Sequence, residues 1–252
     1  VSASGLEDSK WSITTATTLS EQIAFPVKAE EIQATSFTAR WTPNSNVTQI
    51  ISQPGDVIHT ITAEEKTKGE ATVTGLTPET NYTATLKNGT KTRGILTFTS
   101  GVDLTKGIII NPQDDLIAKV AQAPSGSRLL LMPGVYSTTG EIVVNKTLIF
   151  RGVRPENKPK LTVKFTLANN PANASEAVSL SLVDLDLSGS GLTGGVISIL
   201  TAQASPLGDI LISSSYVHDY PSQLMYGNAA ARLKSFTIDN SIVKNVNTAG
   251  SA

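Results

Sequence analysis

The chain has no cysteine, so disulfides, thiolate catalysis and cysteine-held zinc are all excluded. Aromatic residues make up only 5% of its 252 residues, and there are just two histidines, His59 and His218. No His-x-x-x-His pair, glycine-rich phosphate loop or Gly-x-Ser-x-Gly elbow occurs. Charge is scarce too, at 16% with a formal net charge of −1. That excludes a strongly basic nucleic-acid binder, because nothing would displace the counterions of a phosphate backbone. The longest apolar runs, "GIIIN" and "RLLLMPG", fall far short of the roughly 20 residues that span a membrane as a helix. No signal peptide is visible, but the chain opens on Val1 rather than Met, so a leader could have been removed or left out.

What is present is 39% hydrophobic residues among many Thr, Ser and Asn, with length enough for one large or two ordinary domains. Such a composition suggests many short strands with polar outer faces. It fits an exported bacterial protein, and a cytosolic one could look the same.

The first hundred residues alternate with period 2. In "TSFTARWTP" Phe37, Ala39 and Trp41 share one face; in "ATVTGLTPETNYTATLKNG" Val73 precedes a turn, and Tyr82, Ala84 and Leu86 follow on one face. "TRGILTFTSG" supplies a last strand, and turn signals recur every eight to twelve residues, as a β-sandwich requires. With Trp41 on an early strand and "GLTPETNY", residues 24–100 resemble a fibronectin type III domain. The resemblance implies that Trp41 fills the core and that Tyr82 is the tyrosine-corner residue. "VSASGLEDSKWSITTATT", with Trp11 and Ile13, reads as the end of a preceding domain of that kind within residues 1–23, or as a leader. His59, in "DVIHTIT", reads as an ordinary strand surface residue.

From residue 101 the pattern changes. "NPQDDLIAKVAQAPSG" predicts a helix over 111–123, the only convincing one, with Asn111 as cap, Pro112 in the first turn and Leu116, Ile117, Val120 and Ala121 as its apolar stripe. Short strands and Gly/Pro/Asn turns follow. Leu148, Leu180, Ile210 and Phe236 stand 32, 30 and 26 residues apart. In that register Ile212 falls on Ile238, Ser215 on Ser241, Val217 on Val243, His218 on Lys244 and Asp219 on Asn245, while Asp184 stacks with Ser214 and Asn240. Such a period indicates a solenoid. Val178–Leu182, Ile210–Ile212 and Phe236–Ile238 are therefore expected as stacked parallel strands, closed at one end by the helix. With "APSG", "LLLMPGVY" and "NKTLIFRG", residues 101–252 resemble the N-terminal cap and first coils of the right-handed parallel β-helix of the pectate-lyase-like superfamily. The expected fold is thus all-β, a fibronectin-like sandwich followed by the first part of such a β-helix with a short capping helix.

Four groups of residues are candidates for chemistry. Asp184 and Asp186, two apart on an expected strand, share one face and could bind Ca²⁺, although a polar ladder of Asp184 with Ser214 and Asn240 would need no metal. Lyase chemistry requires a basic residue beside a carboxylate, but Arg232, Lys234 and Lys244 match no lyase pattern. Glycosidase chemistry requires two carboxyl groups, and spacing alone selects no pair among Asp184, Asp186, Asp219 and Asp239. Finally, "YVHDYPSQLMY" gathers Tyr216, His218, Asp219, Tyr220 and Tyr226, with Lys244 expected one coil away. Flat aromatic faces beside an imidazole and a cation suit an acidic sugar, provided at least two of the three tyrosines expose a ring on the Lys244 side.

At the level of architecture the chain also looks like the surface lipoproteins with which gut Bacteroidetes handle plant polysaccharides. That implies a secreted or outer-membrane cell-surface protein that binds a pectin-like or other acidic glycan, with outer-membrane uptake components as expected partners. The alternatives are a polysaccharide lyase or hydrolase with catalytic coils beyond residue 252, and an adhesin or structural stalk.

Overall fold

The computed structural model describes residues 21–136, 141–200, 206–228 and 230–249. They form two compact units, one of residues 21–31, 36–76 and 81–99, the other of residues from 100 onward with 32–35 and 77–80. Trp11, Ile13 and the stretch expected to close a preceding domain lie outside the described residues.

In the first unit, period-2 alternation produces seven strands: β1 (Ala24–Phe25), β2 (Ser36–Trp41), β3 (Gln49–Gln53), β4 (Val57–Thr60), β5 (Glu70–Thr74), β6 (Asn81–Asn88) and β7 (Lys91–Thr99). They pair antiparallel in two sheets of order β1-β2-β5 and β4-β3-β6-β7. Phe37, Ala39 and Trp41 from one sheet meet Ile50, Tyr82, Ala84 and Leu86 from the other in a single core. Burying each large side chain stabilises by about 1.5–3 kcal/mol before entropy is counted. Tyr82 stacks on Phe98 with ring centroids 5.9 Å apart.

A helix that the periodicity did not announce, α1 (Ala63–Lys68), is set by local chemistry instead. Thr62 and Glu65 form a capping box, and Gly69, at φ 71°, stops the helix in the left-handed region. The carboxylate of Glu65 also bonds His59 on β4 at 2.9 Å. The histidine read as a plain surface residue therefore supports a helix cap.

The second unit is a parallel β-helix. Its strands are β8 (Ile108–Ile110), β9 (Ser127–Leu131), β10 (Val135–Tyr136), β11 (Glu141–Val144), β12 (Leu148–Gly152), β13 (Lys160–Thr162), β14 (Lys164–Leu167), β15 (Leu180–Val183), β16 (Asp186–Ser188), β17 (Ile197–Ile199), β18 (Leu207–Ser213), β19 (Tyr216–Tyr220), β20 (Met225–Gly227), β21 (Leu233–Asp239) and β22 (Ile242–Val246). From β9 onward every third strand stacks on its predecessor, and β8 pairs directly with β9, giving sheets of order β21-β18-β15-β12-β9-β8, β10-β13-β16-β19-β22 and β11-β14-β17-β20. The register is the expected one. Leu148 pairs with Leu180, Leu180 with Ile210, Ile210 with Phe236, and Ile212 with Ile238, all parallel. Inward residues form continuous ladders, with Phe150 and Phe165 edge to face at 5.5 Å between adjacent sheets. No helix among the described residues is long and apolar enough to cross a membrane.

The cap helix departs from expectation in its start. α2 (Leu116–Gln122) begins after Asp115, whose carboxylate accepts from the Ala118 amide at 3.0 Å. Asn111 is not the cap, because the Asp114 carboxylate takes the Asn111 amide at 2.8 Å and closes a separate turn first. Only Leu116 and Val120 of the helix are buried, joining the solenoid core, while Ile117 is 41% exposed.

The corners are where left-handed residues sit. Asp184, Ser214 and Asn240 adopt φ of 55°, 49° and 44° at one corner of successive coils, and Asp219 and Asn245 adopt 59° and 51° at the next. Short polar side chains tolerate that region and bond along the stack. Asn240 donates to Ser214 at 3.1 Å and Asn245 to Asp219 at 3.0 Å.

Candidate functional site

The outer face of the β10-β13-β16-β19-β22 sheet carries the most chemistry. Pairing sets Lys160, Asp186, Tyr216 and Ile242 in one row and Thr162, Ser188, His218 and Lys244 in the next. On β19 the pleat points Tyr216 and His218 outward and Val217 into the core. The Tyr216 ring lies on the His218 ring, with centroids 4.3 Å apart and planes 21° apart.

His218 is held from both sides. Its Nε2 lies 2.9 Å from Asp186 Oδ1 and its Nδ1 2.6 Å from Asp219 Oδ2. Asp219 is fixed in turn by Asn245. The His218 hydrogen bond, then that from Asn245, hold the Asp219 carboxyl below the usual range, and the charges of His218 and Lys244 add to the effect. The result is an anchored, half-buried aromatic pair between two carboxylates on the outer face of the sheet.

Three expectations are corrected. Tyr220 is not a surface ring. Asp219 in the left-handed region breaks the pleat, so the next side chain turns inward; Tyr220 is fully buried and its hydroxyl donates to the Val163 carbonyl at 2.6 Å. Burial raises its phenol above the ordinary value. Tyr226 is 48% exposed but belongs to β20, on a different sheet, in a row with Val143, Thr166 and Ser198. Of the three tyrosines only Tyr216 lies on the outer face of the sheet that carries Lys244, Tyr220 being buried on the inner side of the same strand.

Asp184 and Asp186, third, do not share a strand face. The left-handed Asp184 is the corner between β15 and β16, which sends the two carboxylates apart. Asp184, almost fully buried, pairs with Arg151 at 3.1 Å and Lys158 at 3.3 Å, whereas Asp186 pairs with His218. Among the described residues, no group of three or more His, Asp or Glu side chains is placed to hold a metal ion. Two of the other candidates are also engaged: Lys234 pairs with Asp209 at 2.9 Å, and Asp239 accepts from Ser213 at 3.4 Å. Of the four carboxylates considered for glycosidase chemistry, only Asp186 and Asp219 converge, on His218.

Sequence reasoning missed a groove next to this face. Where three successive coils leave the sheet, the stretch 192–194, the pair Pro221–Ser222, and Asn247 with Ala249 line an open depression of about 350 Å³. The missed signal was "SGSGLTGG": Gly191 and Gly194 are left-handed, at φ 76° and 95°, and a Cβ on either would meet nothing within 4 Å. Gly189 is there for another reason, since a Cβ on it would stand 2.5 Å from the Tyr220 ring.

Residues 134–252 match a family described as a domain of unknown function (DUF4957). No curated protein matches the chain. Among solved structures it is similar to a family 28 exopolygalacturonase of Yersinia enterocolitica, at 9% identity and a TM-score of 0.26, aligned over 89% of this chain and 69% of that one. Likeness at that level transfers no function, and the β-helix stands on the chain's own parallel sheets.

Proposed function

We propose that the chain binds a polysaccharide, of an acidic, pectin-like kind, at a bacterial cell surface or after secretion. In this reading the antiparallel unit is a fibronectin type III spacer, which its two-sheet strand order supports, and the β-helix presents the binding face.

The observation that carries the proposal is the anchoring of Tyr216. Its ring rests on an imidazole that two carboxylates hold at both nitrogens. An aromatic surface fixed in advance loses little freedom when a sugar stacks on it, which favours binding. Lys244, in register with His218, stands beside it to meet a sugar carboxylate. Asp186 and Asp219 around His218 also resemble an acid–base set, so release of products is the rival reading to test.

The test is a panel of pectins and neutral plant polysaccharides, measuring retention and the release of unsaturated or reducing products. Retention without products, weakened several-fold by Tyr216→Ala and by Lys244→Ala more at low salt than at high, supports binding. Products would replace it with a lyase or hydrolase. Neither retention nor products would leave an adhesin or stalk.

A further inference from the structure

The groove beyond the C-terminal ends of β16, β19 and β22 has a lining that the neighbouring sheet face does not share. Its floor and walls are Leu192, Pro221, Ala249, Gly194 and the short polar residues Thr193, Ser222 and Asn247. No acidic or basic side chain is among them. A few residues before Asn247 the β22 coil carries Lys244, and a few before Pro221 the β19 coil carries His218 and Asp219. Among the described residues, charge thus stops at the edge of the sheet and the groove beyond it has a neutral lining.

The groove is also a built feature. Its three walls are successive turns of the solenoid, two of them tied together: the Asn247 amide donates to the Ser222 carbonyl at 3.0 Å and the Ala249 amide to that of Pro221 at 2.9 Å, while the Leu192 amide closes its own turn on Gly189 at 2.9 Å. Stacked coils are about 4.8 Å apart, so three of them give a trough roughly 10 Å long. Its volume of about 350 Å³ falls within the range of roughly 300–1,000 Å³ of small-molecule sites, and so does its chemistry, mainly apolar with a few polar groups. Gly194 keeps the mouth open, since a left-handed backbone there holds no side chain over it.

We infer that this groove seats an uncharged sugar unit of the bound polysaccharide, so that on an acidic glycan it selects a unit whose carboxyl is esterified. The inference rests on the polysaccharide reading and deepens it. A sugar ring offers an apolar C–H face and a rim of hydroxyls, which suits a floor of Leu192, Pro221 and Ala249 with Thr193, Ser222 and Asn247 at the edge. A free carboxylate in the same place would lose water against apolar carbons and gain no cation. Next door, Lys244 takes the charge that the groove refuses. The ligand that satisfies both is a partly esterified acidic chain, with a free-acid unit on the sheet face and an esterified one in the groove.

The experiment is calorimetric titration of the whole chain with oligogalacturonides of one length in three forms: free acid, fully methyl-esterified and partly methyl-esterified. The partly esterified form is expected to bind tightest, about fivefold or more above the free acid, because an unpaired desolvated carboxylate is penalised. Thr193→Trp and Ala249→Trp, each at an exposed position and each putting a bulky ring into the trough, should abolish that preference. Lys244→Ala should instead weaken the free acid and spare the full ester, and unchanged melting temperatures confirm that the variants are folded. Free acid bound as well as or better than the esters, or an ester preference that survives both tryptophans, overturns the groove inference and leaves polysaccharide binding standing. If none of the three forms is bound, both fall.

Discussion

The hydroxyl of Tyr220 donates to the backbone carbonyl of Val163 at 2.6 Å, fully buried in the middle of the stretch with the densest aromatic content of the chain. The phenol ties β19 to the turn between β13 and β14, two coils back. It is a core residue with a satisfied polar tip, and its substitution reads on stability.

Tyr220→Phe is expected to lower unfolding free energy by about 0.5–1.5 kcal/mol, the net value of a hydrogen bond. Tyr220→Ala should cost about 3–5 kcal/mol through the cavity left by a large buried ring. Gly189→Ala attacks the same packing from outside, forcing a methyl to 2.5 Å from that ring, with an expected loss of about 1–3 kcal/mol. Denaturant unfolding checks all three. A Tyr220→Phe protein as stable as the parent but weaker in glycan binding would make the tyrosine functional after all.

Asp184 combines a left-handed backbone with a buried carboxylate shared by Arg151 and Lys158. Asp184→Asn keeps a side chain that tolerates the backbone and removes only the charge. Breaking a buried pair costs about 3–5 kcal/mol, and the partial exposure of both cations brings the expectation down to roughly 1–3 kcal/mol. Asp184→Val should cost about 1–2 kcal/mol more, because a β-branched residue is strained at positive φ. Equal stabilities for the two variants would remove the backbone part of the argument.

Glu176 ties the 169–177 loop to the coil beneath it. It accepts from Ser125 Oγ, from Asn170 Nδ2 at 2.6 Å and from the Thr147 amide at 3.1 Å. The Ser125 bond first, then that from Asn170, hold its carboxyl down to about 2, from 4.5. Because the folded value is the lower one, the stabilisation is complete above about pH 4.5 and is lost as pH falls toward 2. Glu176→Gln is expected to cost about 1–2 kcal/mol at neutral pH and to flatten the acid limb of the stability curve in that window. A variant with the parent's pH dependence would show that Glu176 carries none of it.

Much of this fold was legible because a solenoid repeats itself. Leu148, Leu180, Ile210 and Phe236 sit at one inward position, so a single alignment yields strand pairing, sheet order and the placing of His218 beside Lys244. What the alignment does not carry is the direction of a side chain after a left-handed residue. Asp184 and Asp219 each reset the pleat, and for that reason Asp186 parted from Asp184 and Tyr220 turned inward. Asp186 reaches His218 diagonally across the register, a contact that pairing in straight rows does not suggest. Helix α1 escaped because its six residues bury none of their side chains and so leave no apolar period; its signature was the capping box.

The last prediction concerns the frame around His218. Three groups bear on Asp219: the His218 ring at 2.6 Å, the Asn245 carboxamide at 3.0 Å, and Lys244 through its charge. Since the His218 bond is the largest influence holding the Asp219 carboxyl down, His218→Ala should raise its titration midpoint most, Asn245→Ala less, and Lys244→Ala least. The sign follows from linkage: a carboxyl depressed in the folded state contributes stability above the usual carboxylate range and loses it as pH falls through the folded value. His218→Ala should therefore also soften that acid dependence. It removes the ring that bridges Asp186 and Asp219 as well, leaving the two carboxylates without their shared partner and Tyr216 with no ring beneath it. Carbon-detected NMR titration of the Asp219 carboxyl in the three variants checks the order. A midpoint that moves more with Asn245→Ala than with His218→Ala would mean that the imidazole is a neighbour of this carboxylate and not its partner. The anchored Tyr216 platform would then lose its foundation.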